Sequence, residues 1–336
     1  MRHDKSHLQF RLPLFLIFMS DVMTSYLVKL TRLSLSTFWE LIKIMLPIMI
    51  MLRVAESMGW IDLLVPWFEP AMSYVNLPAE AALIFITSAL MGVYGAIAAF
   101  PVLIGHEVTA AQITSICMFI LITHALPIEQ AIVRKAGASF WGTVILRLAV
   151  GILACWLIDL IAKTTGYLNE PQSIEHFKYL GQPDVGHLEW AMTSLQGLGF
   201  LFIILVALLV GLDLLDWLNV TKWINKLLAP LLKISGLDPS VTPITTTGIL
   251  LGLSYGGGLI IARANDGSIS KEARFYSLCW LSLCHSLIED TAIMVAVGGD
   301  VWMLLFGRLV LTFLVIRLLM LWFDKNPFRR NRMLEA

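Results

Sequence analysis

The chain contains little charge and none of the common catalytic motifs. Only 14% of its 336 residues are charged, whereas 58% are hydrophobic and the mean hydropathy is +0.79. No class of soluble protein has such a composition. The phosphate loop GxxxxGK(S/T), the HExxH zinc motif, the GxSxG nucleophile elbow and the GxGxxG fingerprint are all absent. We therefore expect an integral membrane protein that is not an enzyme and has no cofactor.

Cysteine and clustered basic charge are scarce as well. The four cysteines lie in apolar stretches and form no CxxC pair: Cys117, Cys155, Cys279 and Cys284. Neither a disulfide framework nor a zinc ribbon is therefore expected. The net charge is zero and no basic face is present, which argues against a nucleic acid partner. The expected surroundings of the chain are a lipid bilayer.

Apolar runs of about 20 residues, the length that crosses a bilayer, recur along the chain. They cover about 38–56, 80–104, 139–162, 197–215, 242–262 and 301–323. Two shorter runs, at about 110–126 and 275–288, end near a histidine and suit tilted or half-spanning helices. The stretch 8–35 resembles a signal peptide but has no cleavage site, so we predict a retained amphipathic helix at the membrane interface.

The second half of the chain repeats landmark residues of the first half 160 or 161 positions later. The pairs are Pro70 and Pro230, Leu77 and Leu237, Gly92 and Gly252, Tyr94 and Tyr255, His124 and His285, Glu129 and Glu289, Trp141 and Trp302, and Arg147 and Arg308. Several are polar residues within apolar stretches, where a polar group is costly. A repeated polar set inside a membrane indicates a binding site between two structural repeats.

Lysine and arginine are distributed oppositely in the two copies. None occurs from Val54 to Val133, which predicts that the helical stretch 60–75 lies outside the cell. Its counterpart, 218–234, carries Lys222, Lys226 and Lys233 and is predicted to be cytoplasmic. These charges favour inverted repeats over a parallel duplication.

The predicted fold is thus an all-α polytopic membrane protein with two inverted repeats that contain discontinuous or re-entrant helices. We divide it into an interfacial segment 1–37, a first repeat 38–163, an extracytoplasmic loop 164–187, a second repeat 188–323 and a basic cytoplasmic tail 324–336. Both termini are predicted to be cytoplasmic, and the membrane to be the bacterial inner (plasma) membrane.

The segment 242–261 reads TPITTTGILLGLSYGGGLII and predicts a broken helix. Glycine permits non-helical backbone, which survives in a bilayer only where protein or a water-filled cavity satisfies it. The predicted contacts with a solute are Tyr94, Thr245, Thr246, Ser254, Tyr255, Gly256, Gly257 and Gly258. Close helix packing through small residues is the alternative.

Ionisable residues follow in both copies, as THALPIEQAIV at 123–133 and CHSLIEDTAIM at 284–294. His285 and Glu289 are four residues apart and are expected on one helical face. Histidine titrates near neutral pH, and a buried arginine needs a carboxylate or carbonyl partner. The predicted coupling or gating residues are His124, Glu129, His285, Glu289, Asp290, Arg147 and Arg308. Glu129 and Glu289 are the expected partners of Arg147 and Arg308.

This layout resembles the nucleoside-recognition, or Gate, domain membrane proteins. The resemblance rests on Gly92, Tyr94, Ala96 and Ile97 followed by the His-Ala-Leu-Pro-x-Glu motif that begins at His124. It covers about 38–323, with one Gate-like unit in each half. It implies kinship with the membrane parts of concentrative nucleoside transporters, ferrous iron permeases and spore maturation proteins. The GTPase of the iron permeases is absent, so the resemblance implies transport more than any one cargo.

Three functions follow from these patterns. The leading hypothesis is a permease for a small polar solute, nucleoside-like in one reading, with a coupling ion and a site at mid-membrane. The second is a divalent-metal route that uses His285 and Glu289 as ligands. The third is a membrane scaffold or assembly factor with a sealed interior. A homodimer is one assembly that exposed Trp and Phe side chains would favour.

The sidedness of the two copies can be tested with reporter tags fused after Val75 and after Ile234. We expect the two tags to report opposite compartments, because the basic residues of the two stretches differ. Tags that reported the same compartment would contradict inverted repeats.

Overall fold

The computed structural model describes residues 11–174, 177–181, 185–265 and 269–325. The first half comprises α1 (Arg11–Ser57), α2 (Trp60–Tyr74), α3 (Ala81–Met91), α4 (Val93–Ala99), a 3₁₀ turn (Phe100–Leu103), α5 (Ala110–Thr123), α6 (Leu126–Lys135) and α7 (Phe140–Thr165). A two-residue antiparallel pair, Val108–Thr109 with Pro171–Gln172, and α8 (Lys178–Gly181) belong to the segments that connect the helices. Residues 1–10 of the predicted interfacial segment and 326–336 of the predicted tail lie outside the described residues.

The second half contains the same types of element in the same order. They are α9 (His187–Trp217), α10 (Val220–Ser235), α11 (Thr242–Leu251), α12 (Leu253–Asn265), α13 (Lys271–Leu283), α14 (Glu289–Ala296), a π-helical turn (Met303–Gly307) and α15 (Arg308–Lys325). Among the described residues, five stretches are long and apolar enough to cross a membrane: Thr24–Ser57, Ala110–Lys135, Phe140–Thr165, His187–Leu215 and Met303–Phe323. The all-α, multi-pass class is confirmed.

The N-terminal region differs from its prediction. A single helix runs from Arg11 to Ser57, so the expected boundary between residues 37 and 38 falls inside α1. Nothing in the sequence of this boundary breaks a helix, since 31–41 contains neither glycine nor proline. The amphipathic and apolar parts are therefore one continuous element.

Residues with positive φ recur in the two halves at the offset of the repeat. The pairs are Gly59 and Asn219, Asn76 and Gly236, Gly92 and Gly252, Ala125 and Ser286, and Gly137 and Gly298. Three of these pairs include a residue other than glycine, for which positive φ is uncommon. The two copies therefore share a chain path, while their opposite sidedness stays a prediction.

Each predicted broken helix is interrupted at a single glycine. Gly92 has φ 86° and ψ −171°, and Gly252 has φ 101° and ψ 165°. This region of backbone space is open almost only to glycine. The run Gly256 to Gly258 lies inside α12. Gly252 lies against the turn that follows His285, where an added Cβ would be 3.0 Å from Ser286 Oγ.

The two halves interlock around the ends of α5 and α13. Helix α6 of the first half packs against α12 of the second, and α14 of the second half packs against α5 of the first. Gly257 permits the first contact, since a Cβ there would lie 2.6 Å from Ile132. The residues that follow the two histidines are thus surrounded by both halves.

Replacing Gly252 by alanine should destabilise the protein, by about 1–3 kcal/mol for the strained backbone. Gly258→Ala provides the matched control in the same segment, because a Cβ there meets nothing within 4 Å. Thermal unfolding in detergent should show a lower midpoint for Gly252→Ala and an unchanged or higher midpoint for Gly258→Ala. Equal midpoints for both variants would show that the break does not depend on Gly252.

Candidate functional site

Two histidines terminate equivalent helices and are oriented by their own helices. His124 follows α5 and His285 follows α13, and the next residue in each case, Ala125 or Ser286, is left-handed. The Nδ1 atom of His124 lies 2.9 Å from the Ile120 carbonyl oxygen, four residues earlier. The Nδ1 atom of His285 lies 2.7 Å from the corresponding oxygen of Leu281. A carbonyl oxygen only accepts hydrogen bonds, so each Nδ1 carries the proton and a neutral ring leaves Nε2 as an acceptor.

The two Nε2 atoms face each other across the contact between the halves. They are 3.1 Å apart, and the ring planes are inclined by 52°. Both residues are buried, with 6% of His124 and 1% of His285 exposed. Two buried acceptors at this distance repel each other unless a proton or a metal ion lies between them.

Two carboxylates complete the cluster, one from each half. The Glu129 Oε1 atom, on α6, lies 3.1 Å from His285 Nε2 and 3.3 Å from His124 Nε2. The Asp290 Oδ2 atom, on α14, lies 3.6 Å from His124 Nε2. Four acceptor atoms therefore converge within the protein. We define His124, Glu129, His285 and Asp290 as the central cluster.

The arginines support this cluster from behind. Arg147 donates from Nη1 to Glu129 Oε2 at 2.5 Å, from Nε to the Ile122 carbonyl at 2.5 Å and from Nη2 to the His124 carbonyl at 2.8 Å. Its guanidinium is fully buried and each of its nitrogens has an acceptor. The expected pair of Arg147 with Glu129 is present.

Arg308 repeats only part of this arrangement. Its Nη2 donates to the His285 carbonyl, as Arg147 does to that of His124. Its Nε and Nη1 atoms are buried without a hydrogen-bond partner among the described residues. The expected pair of Arg308 with Glu289 is not formed, because Glu289 is exposed at the start of α14.

The expectation that His285 and Glu289 share a helical face is also wrong. Helix α13 ends at Leu283, and the left-handed Ser286 turns the chain before α14 begins at Glu289. Asp290, the next residue, reaches the cluster instead. Asp290 lies 161 positions after Glu129, the same offset that relates the two histidines, so Glu129 is its first-half counterpart. The adjacent Gln130 is buried and accepts a hydrogen bond from the Thr143 hydroxyl at 2.5 Å. The spacing from histidine to glutamate is one residue longer in the first copy, from His124 to Glu129, than in the second, from His285 to Glu289. This difference was the sequence signal that Glu289 does not correspond to Glu129.

The predicted solute contacts are only partly near this cluster. Tyr94, on α4, is partly buried and lies within electrostatic range of the carboxyl groups of Glu289 and Asp290. Thr245 donates to the Val241 carbonyl at 2.8 Å, and its Oγ1 lies 2.6 Å from Ser277 Oγ. Thr246 donates to the Thr242 carbonyl at 2.7 Å. Both threonine hydroxyls are thus occupied within the protein.

The glycine run of α12 contributes mainly close packing. Gly256 lies against Gly248, and Gly257 lies against Ile132, whereas Gly258 is exposed. The side chains of Ser254 and Tyr255 lie outside the described residues. The role of this whole set in binding a solute stays a prediction.

A polar cavity of about 340 Å³ opens at one end of the broken α4. Its charged lining residues are Arg53, Glu56, Asp62, Glu80 and His106. Ala98 also lines it, and Ala98 lies one helical turn, about 6 Å, beyond Tyr94. One turn of α4 therefore lies between the cavity and Tyr94.

Apolar spanning helices that enclose a buried ionisable cluster define a multi-pass membrane protein. The chain is 25% identical over 282 residues to the uncharacterized membrane protein YvoD of Bacillus subtilis (strain 168), an alignment that covers 81% of this chain and 86% of YvoD. No protein-family profile and no solved structure matches the chain. The similarity supports a membrane protein and names no activity, so the resemblance to Gate domain proteins stays a prediction.

The two arginines should respond differently to replacement by methionine. Arg147→Met leaves the Glu129 carboxylate buried without its cation, a change that typically costs about 3–5 kcal/mol. Arg308→Met removes no ion pair and deletes two buried nitrogens that have no partner, so a small loss or a gain of stability is expected. Thermal unfolding in detergent measures the difference. Adding Glu129→Gln to Arg147→Met should recover part of the loss, and equal loss in both single variants would contradict this account.

Proposed function

We propose that the chain is a membrane permease for a small polar solute, with a cation site at the central cluster. The observation that carries the proposal is the meeting of four buried acceptor atoms from both halves. Leaving a buried acceptor unsatisfied costs about 1–3 kcal/mol, so a cation among them is strongly favoured. The bacterial inner membrane and cytoplasmic termini belong to the same proposal.

The charge of the cluster supports a cation. Arg147 neutralises Glu129 through Oε2, which leaves Oε1 directed at the histidines. Asp290 has no arginine or lysine partner among the described residues. With both imidazoles neutral, the cluster and Arg147 together carry one negative charge, which is costly inside a membrane unless a cation compensates it.

The broken helices couple this site to the backbone. The N–H of Ala125 donates to the Ser88 carbonyl at 2.9 Å, and the N–H of Leu287 donates to the Ile249 carbonyl at 2.8 Å. Each turn that follows a histidine is thereby tied to the helix that ends at Gly92 or Gly252. Binding of a cation between the histidines would therefore bias the position of both broken helices. Discontinuous helices around a mid-membrane site are a recurrent feature of secondary transporters.

A sealed scaffold is the second candidate, and the low exposure of both histidines favours it. In a scaffold the path from the polar cavity would stop at Ala98. In a permease it would continue past Tyr94 to the cluster. Access of water to Tyr94 therefore separates the two functions.

Single cysteines at Tyr94, Ala98, Ala99 and Val102 can measure this access with a water-soluble thiol reagent. The four native cysteines are buried and provide a low background. Val102→Cys is the positive control and should react, since Val102 lines the cavity and is partly exposed, whereas Ala99→Cys should stay unreacted, since Ala99 is fully buried. Ala98 also lines the cavity but is only 2% exposed, so reaction of Ala98→Cys would show that water reaches this turn of α4. A reactive Tyr94→Cys supports the permease, and a silent Tyr94→Cys supports the scaffold.

Transport itself can be measured as uptake of radiolabelled nucleosides, amino acids or zinc into proteoliposomes. Asp290→Asn and His285→Gln should abolish uptake while the protein remains in the membrane. Asp238→Asn is the matched control, because Asp238 is an exposed carboxylate that bonds Ser240 in a loop. Uptake that persists in both cluster variants would refute the assignment.

A further inference from the structure

We propose that the central cluster is a tetrahedral site for a divalent transition metal of the zinc class. The ligand atoms would be His124 Nε2, His285 Nε2, Glu129 Oε1 and Asp290 Oδ2. The inference rests on the proposed cation site and specifies its occupant. It differs from the ligand pair expected from the sequence, since Asp290 replaces Glu289 and both halves contribute.

The distances fit tetrahedral coordination. Zinc binds imidazole nitrogen and carboxylate oxygen at about 2.0–2.2 Å, so ligand atoms in a tetrahedron are about 3.3–3.6 Å apart. Four of the six separations between these atoms are 3.1, 3.1, 3.3 and 3.6 Å. The ligand atoms of His124, His285 and Asp290 all lie within 4.8 Å of one another.

The groups that hydrogen-bond to the proposed ligand residues are of the kind that support metal ligands in other metal sites. A metal-bound histidine usually donates its other N–H to a carbonyl or carboxylate, which fixes the tautomer and the ring orientation. Ile120 and Leu281 provide these carbonyls at 2.9 and 2.7 Å. Arg147 binds Glu129 through Oε2 and thereby leaves Oε1 for the metal.

A proton satisfies this arrangement less well than a metal ion. One proton on Nε2 bridges a single pair of acceptors and leaves the others facing one another. A four-coordinate cation compensates all of them at once. Imidazole nitrogen favours zinc, copper, iron or nickel, whereas magnesium, calcium and manganese favour oxygen ligands.

Cobalt(II) provides a direct test on the full chain purified in detergent and stripped with a chelator. We expect one cobalt per chain with the intense visible absorption of tetrahedral coordination, and displacement of cobalt by zinc. A weak octahedral spectrum, or no stoichiometric binding, would overturn the proposal. This spectrum of the unaltered protein does not depend on any variant folding correctly.

Variants then assign the ligands. His285→Gln and Asp290→Asn should each weaken zinc binding by more than about 100-fold, beyond the 10–100-fold typical of losing an outer-shell partner. His106→Gln is the matched control, since His106 forms the other histidine–carboxylate contact, at 3.6 Å from Glu80. Cys284→Ser should bind normally, which excludes the neighbouring thiol as a ligand. Unchanged binding in both cluster variants would place the metal elsewhere.

These experiments can refute the metal site and the permease independently. Metal binding at the cluster without uptake of any solute would refute the permease and leave the metal site intact. Solute uptake by protein that binds no metal would refute the metal site and leave the permease intact.

Discussion

The geometry of the site depends on the hydrogen bond that each histidine makes to its own helix. The bonds to Ile120 and Leu281 fix both tautomers and direct both Nε2 atoms away from the helix ends. A rotated ring would lose this bond and leave the buried Nδ1–H without its acceptor in a nonpolar interior. The two Nε2 atoms therefore face each other because both histidines lie at the ends of their helices, α5 and α13. The left-handed residues Ala125 and Ser286 ensure that both helices terminate there.

The breaks at Gly92 and Gly252 have a related origin. A helix that ends inside a membrane exposes carbonyl groups that water cannot satisfy. The Ser88 carbonyl accepts the N–H of Ala125 in addition to that of Gly92, and the Ile249 carbonyl accepts the N–H of Leu287. Within each half, the turn that follows the histidine is thus hydrogen-bonded to the helix that ends at the glycine break. This mutual dependence explains why the two features occur together in both copies.

The sequence was sufficient to predict the repeat, the membrane class, the broken helices and the pairing of Arg147 with Glu129. These features depend on residue type at fixed spacing, which a single chain displays. It was insufficient to separate Asp290, which reaches the cluster, from Glu289, which does not. The difference depends on the turn at Ser286, whose left-handed backbone is not marked by a glycine. A helical extrapolation through this turn placed Glu289 where Asp290 lies.

The repeat is symmetric in its histidines and in the carboxylates of the central cluster. His124 and Glu129 belong to the first half, whereas His285 and Asp290 belong to the second. Glu129 and Asp290 are 161 positions apart, as are the two histidines and the left-handed residues Ala125 and Ser286 that follow them. Each half thus provides one imidazole and one carboxylate, and separation of the halves would divide the four acceptors into two incomplete pairs. An ion bound by all four stabilises the closed arrangement, and movement of one half against the other would weaken its binding. The same division of ligands would couple release of the ion to the opening of the contact between the halves.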